Sequence, residues 1–239
     1  MRLRFIAVLV IAAVSLLTLF NTNQAALSQT RSGSSGIGYA KMRVGRTRYT
    51  YPRLTRYRDA RVMREVNRQI DAATKEFGCQ GQGGKDASFQ VRSRVAYADR
   101  DIFSIYAWSQ YWCGGPYPTN NNNISQTFDL RTGKLVEFAE LFKDYEADKR
   151  EILKTIFAGQ VAAAERLKAS GKAQDDSCET TYEMDSLESH SFSYNFSSAG
   201  LQVQPNFPHV IEACSEIVTV PYSKLQRFAA PGGILARMK

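Results

Sequence analysis

The chain has 239 residues, 44% apolar, 11% aromatic and 23% charged. That composition allows one large or two small packed domains and excludes a largely disordered, collagen-like or multi-span membrane chain. The formal charge of +8 is local: residues 31–68 hold eleven Lys and Arg against Asp59 and Glu65, and everything beyond residue 68 is slightly acidic at −3.

Arg2 and Arg4 precede an apolar run from Phe5 to Phe20, and Asn21 to Ala26 is polar and ends in small residues. This order predicts an export signal over 1–26, cleaved near Ala25 or Ala26. The run is too short for a roughly 30 Å hydrocarbon core, so no membrane anchor is expected after cleavage. No Cys follows it to carry a lipid, and no paired Arg marks a twin-arginine signal. The expected location is periplasmic or secreted. Residues 27–38 are rich in Ser, Gly, Gln and Thr and read as a flexible leader.

Tyr49, Tyr51 and Leu54 alternate with polar residues as in a strand. Asp59 then caps a predicted helix whose apolar positions are Val62, Met63, Val66, Ile70, Ala73 and Phe77, stopped by Gly78. From Ser88 the period falls to two: Phe89, Val91, Val95 and Tyr97 alternate with Gln90, Arg92, Arg94 and Ala96, a strand wet on one side. Ile102 to Trp112 is apolar at both parities and reads as a central strand. After a loop from Gly114 to Asn123, Ile124 to Leu130 forms another strand, and Thr132-Gly133 turns it into Lys134 to Phe138. Ala147 to Ala169 reads as one long helix ended by Gly171, and Gly171 to Ser189 as an acidic loop pinned by Cys178. Phe192, Tyr194 and Phe196, then Ala199-Gly200, then Leu201 and Val203 make a second hairpin. Ile217 to Val220 is a last strand, and Ser223 caps a short helix through Phe228. The predicted class is α+β, antiparallel sheet with two main helices packed on it. The expected parts are a smaller N-terminal α+β part at 39–87 and a C-terminal domain at 88–239.

Cys79, Cys113, Cys178 and Cys214 all follow the leader, and an even count in an exported chain favours disulfides. Three pairings are open. Sequence neighbours, Cys79 with Cys113 and Cys178 with Cys214, are favoured because they close two loops of similar length. With no CxxC spacing and only His190 and His209, no metal site is expected, and no cofactor.

Tyr106, Trp108, Tyr111, Trp112 and Tyr117 crowd the region before and within the loop. Tyr106, Trp108 and Trp112 share one parity and read as core, which leaves Tyr111 and Tyr117 as the exposed pair. The other reading makes the group a surface that stacks sugars or anchors a protein. A ten-residue loop on a rigid sheet is a common place for recognition. The candidate binding residues are therefore Tyr111, Gly114, Gly115, Tyr117, Asn120 and Asn121. The Arg-rich stretch would point to nucleic acid inside a cell, but outside it the accessible polyanions are lipid headgroups, envelope polysaccharides and acidic proteins. No nucleic acid partner is expected. GxSxG, HExxH, phosphate-binding Gly loops and SxxK are all absent; His209 beside Glu212 is a candidate acid/base pair but reads as structural, and a pair of carboxylates suited to glycosidase work stays open. The predicted function is a non-catalytic module that binds an envelope polysaccharide or an extracytoplasmic protein. A cell-wall glycan hydrolase or deacetylase is the rival reading.

The run Thr127-Phe128-Asp129-Leu130-Arg131-Thr132-Gly133-Lys134-Leu135, followed by Glu140-Leu141-Phe142, resembles the core of the RsiV-like extracytoplasmic domains. Gly114-Gly115 after an aromatic strand and Val218-x-Val220-Pro221-Tyr222-Ser223-x-Leu225 agree with it, and Tyr51-Pro52-x-Leu54 is similar to the smaller domain that often precedes. The resemblance covers about residues 45–228. It implies an α+β extracytoplasmic domain and, because the family is named for an anti-sigma factor that senses lysozyme, a lysozyme-like protein as one partner. Gly114-Gly115-Pro116-Tyr117 stands where members often have Gly-Gly-Ala-His. The expected absence of a spanning helix argues against a transmembrane anti-sigma factor.

Overall fold

The computed structural model describes residues 36–45, 49–75, 77, 79, 87–114, 119–171 and 178–239. The expected signal over 1–26 and nearly all of the leader lie outside them. Ile37, assigned to the leader, is already buried. Among the described residues no helix is long and apolar enough to cross a membrane.

Strands β1 (Gly38–Arg43) and β2 (Thr50–Arg56) pair antiparallel. Helix α1 (Ala60–Lys75) follows, its first turn capped by Asp59, whose Oδ1 accepts from Arg61 N at 2.7 Å and Val62 N at 3.3 Å. The amide of Asn67 docks the helix on β2, accepting from Leu54 N at 3.0 Å and donating to Leu54 O at 2.9 Å. It satisfies a strand edge that would otherwise be buried unpaired.

The second sheet has the order β3 (Ser88–Ala98), β4 (Ile102–Trp112), β5 (Asn120–Asp129), β6 (Lys134–Leu135), all antiparallel. Asp99 makes the β3–β4 turn, its Oδ1 accepting from Asp101 N and Ile102 N at 2.8 and 2.7 Å. Phe103, Ile105 and Ala107 of β4, with Phe128 and Leu130, point to one face of this sheet. There they meet Ile37, Tyr51, Leu54, Val66 and Ile70 in a first core. Tyr51 donates its hydroxyl to Gln126 Oε1 at 2.9 Å inside it.

A second core lies beyond the sheet. Helices α2 (Tyr145–Ile156) and α3 (Ala158–Ala169) pack with the third sheet, β7 (Phe192–Ser197), β8 (Gly200–Pro205) and β9 (Val218–Val220), through Ile152, Phe157, Phe192, Phe196, Leu201 and Val203. Gly200 fits because β9 passes so close: a Cβ there would stand 2.2 Å from Val220 O. The molecule is α+β, as expected from the order of patterns.

Four local readings change. The helix expected from Ala147 to Ala169 breaks at Phe157, whose backbone leaves helical values at φ −99° and ψ 29°. The break turns that ring inward against Tyr182 and Phe192, at centroid distances of 5.8 and 5.7 Å. The acidic loop holds a 3-10 turn at Thr180–Tyr182 and helix α4 (Met184–Glu188). Helix α5 (Tyr222–Leu225) starts from Pro221, not Ser223. Asn120 to Asn123 are strand, not loop, extending β5 alongside β4 from Tyr111–Asn120 to Trp108–Asn123.

Candidate functional site

In β4 the buried parity is the odd one, so Tyr106, Trp108 and Trp112 do not fill the first core as expected. They stand on the opposite face and are only partly buried. The sequence cannot separate the two parities, because Ile102 to Trp112 is apolar or aromatic at both; the packing of α1 and Tyr51 on the odd side decides.

Near the β3–β4 turn this opposite face is closed by β7. The apolar parity of β7 goes to the second core, so its polar parity, Ser193 and Asn195, meets the sheet. Asn195 Nδ2 donates to Ser104 Oγ at 3.0 Å and Ile105 O at 2.8 Å, and its Oδ1 accepts from Ser125 Oγ at 3.1 Å. Ser104 and Thr127 hydroxyls lie 2.8 Å apart. The contact between the two sheets is thus a satisfied polar seam rather than a third apolar core.

Beyond Tyr106 nothing among the described residues covers this face. Arg92 lies opposite Trp108 and Arg94 opposite Tyr106 in the β3–β4 register. Their guanidinium carbons stand 5.9 Å and 5.1 Å from those rings, within cation–π range. A depression of about 340 Å³ is lined by Arg92, Ser93, Arg94, Tyr106 and Trp108. Tyr106 donates to Asn123 Oδ1 at 2.9 Å, which fixes the ring, and burial raises its phenol pKa while Arg94 lowers it in part. Tyr106 also borders a narrow cleft under β7 and β8 with Ser125, Ser193, Gln204 and Ile217. Next along the platform, Gln110 pairs with Asn121, and Trp112 lies diagonally beyond. Trp112 Nε1 and Asn121 Oδ1, on this same face, are buried and have no hydrogen-bond partner among the described residues.

The disulfides pair Cys79 with Cys113 and Cys178 with Cys214, with Cα separations of 5.2 and 5.1 Å. The first ties the end of β4 to the segment after α1, holding the open end of the platform.

The residues singled out from sequence are divided by the strand geometry. Tyr111 is half-buried on the α1 side, opposite Phe89, which packs edge-on to Tyr49 at 5.4 Å. Asn120 pairs with Tyr111 and so shares that side, whereas Asn121 lies on the platform. Gly114 is exposed with φ +99°. Gly115 and Tyr117 lie outside the described residues. The set therefore does not converge on one surface. Arg92, Arg94 and Trp108 were missed as site residues; the signal was the alternation of Gln90, Arg92 and Arg94, which becomes informative once its register against β4 is known.

His209 Nδ1 lies 3.7 Å from Glu212 Oε2 on a partly exposed 3-10 turn. Among the described residues no three His, Cys, Asp or Glu cluster as a metal site.

No protein-family model and no curated protein matches the chain. Among solved structures it is similar in fold to a DUF3298 family member from Bacteroides fragilis, at 11% identity, TM-score 0.50, covering 87% of this chain and 99% of that one. A DUF3298 family protein from Pseudomonas aeruginosa aligns at 10% identity with TM-score 0.46, over 82% and 92% of the two chains.

Proposed function

We propose that the chain is an exported, non-catalytic binding module that recognises a component of the cell envelope through the open half of the β3–β5 face. One observation carries the reading: rigid paired strands hold the partly exposed rings of Trp108 and Tyr106 beside the exposed Arg92 and Arg94, around one depression. A binding face held in register by its own strands loses little entropy on engagement. The two disulfides point to an oxidising compartment. Export is further supported by the leader read at 1–26 and by the resemblance to RsiV-like domains, to which DUF3298 is related. In this reading residues 39–87 form the smaller part that stiffens the sheet from behind, and residues 88–239 carry the face.

A lysozyme-like partner is the less favoured occupant. Such enzymes are usually cationic, and three of the acidic residues that would attract one already have cationic neighbours: Glu183 has Lys168, and Asp185 and Glu188 have Arg150.

The test is co-sedimentation of the purified chain with isolated cell-wall sacculi and with lipid vesicles. Sacculi should retain the wild type and not Trp108→Ala. Equal retention of both, or none of either, contradicts the reading.

A further inference from the structure

Resting on that reading, we infer that the platform takes an anionic saccharide, its ring stacked on Trp108 and its carboxylate held by Arg92 and Arg94. Three observations converge. The first is charge. Arg53, Arg58, Arg68, Arg131, Arg150 and Arg237 each have a carboxylate within reach, whereas Arg92 and Arg94, like Arg61 and Arg64 of α1, have none among the described residues. Both are exposed, and each lies over an aromatic ring rather than against an acid. Alternate residues of one strand are about 6.7 Å apart, so two guanidinium forks line up along β3 facing the same way. No Asp or Glu occurs on the platform segments of the three strands, Ser88–Arg94, Tyr106–Trp112 and Asn120–Ser125, so these strands bring only positive charge to it.

The second is the kind of apolar surface offered. No aliphatic side chain lies on the platform side of these segments; its apolar area is aromatic. A protein anchor seeks a desolvated pocket for a large side chain. A sugar instead presents a face of weakly positive C–H groups, the complement of the negative face of an indole. The third is the polar complement. Gln110, Asn121 and Asn123 bring amides, which can both donate and accept, to the strands beside Trp108. Ring hydroxyls need partners of both kinds, and a carboxylate needs only donors.

The experiment follows the fluorescence of Trp108 and Trp112 while titrating the purified chain with defined probes. These are hexagalacturonate, its full methyl ester, hexaglutamate, and the N-acetylglucosamine–N-acetylmuramic acid disaccharide with its methyl ester. At least one acidic saccharide should bind saturably, with its ester and the peptide roughly tenfold weaker or more, the loss expected for one charge-assisted hydrogen bond. Arg92→Gln with Arg94→Gln should abolish the preference for the acid over its ester. Arg92→Lys, which keeps the charge but not the fork, should fall between. Acid and ester binding alike would overturn the proposal, because the carboxylate would not be read. Hexaglutamate binding as tightly as the saccharide would overturn it in favour of an acidic protein. Failure of both acidic saccharides would overturn it too. If the sacculi then still retain the chain through Trp108, the binding-module reading stands with another ligand; if they do not, both fall.

Discussion

The two faces of the β3–β5 sheet are made by alternate residues of the same strands, yet they have different fates. On the odd face of β4, Phe103, Ile105 and Ala107 are fully buried under α1 and the β1–β2 hairpin. On the even face, Ser104 enters a polar seam with β7, and Tyr106 and Trp108 emerge toward solvent beside two arginines. Aromatic content does not distinguish the faces. What does is what the rest of the chain supplies to cover them: the apolar face of a helix on one side, and on the other a strand whose own apolar parity is already committed to a second core.

If the comparison holds, substitutions on the two faces will separate stability from binding. Phe103→Ala removes a ring with no solvent exposure and is expected to cost about 3–5 kcal/mol in chemical denaturation. A loss below about 1 kcal/mol would mean the odd face is not core. Asn195→Ala tests the seam: it strips the donor from Ser104 Oγ and Ile105 O and the acceptor from Ser125. Buried groups left unpaired should make it cost about 1–3 kcal/mol by the same measurement. No change would show that water or a rotated neighbour replaces the amide.

Much of this was legible in the sequence, and the limits were physical. Asp59, Gly133 and the Phe192–Phe196 alternation act through their immediate neighbours, so the helix start, the β5–β6 turn and the β7–β8 hairpin could be read directly. The fate of Trp108 depends on which parity meets α1, a contact between segments some forty residues apart in sequence. The four Asn read as part of the loop by propensity. Pairing with β4 overrides that preference, because strand propensity is largely a matter of what lies across the ladder. The candidate set around Tyr111 failed to converge for the same reason: adjacent strand residues face opposite sides.

Two smaller effects sharpen the picture. Gly133 has φ +77°, and the space a Cβ would occupy is in ordinary contact with Val62, so Gly133→Val is strained chiefly by its backbone. Its unfolding midpoint should fall by the equivalent of about 1 kcal/mol or more; an unchanged midpoint would place the strain elsewhere. His190 packs edge-on to Phe207 at 5.0 Å, and burial lowers its pKa below 6.5. The folded chain thus prefers the neutral imidazole. Its contribution is complete above pH 6.5 and is lost as pH falls from there through the lower folded value. His190→Gln should flatten that part of the stability–pH curve; an identical curve for the variant would remove His190 from the account.

The central claim is that Trp108 is a binding residue and not part of a core. Denaturation of Trp108→Ala measures this directly. The account predicts a stability within about 1 kcal/mol of the wild type. A loss of about 3 kcal/mol or more, the cost of emptying a buried indole site, would contradict it and return the even face of β4 to the core.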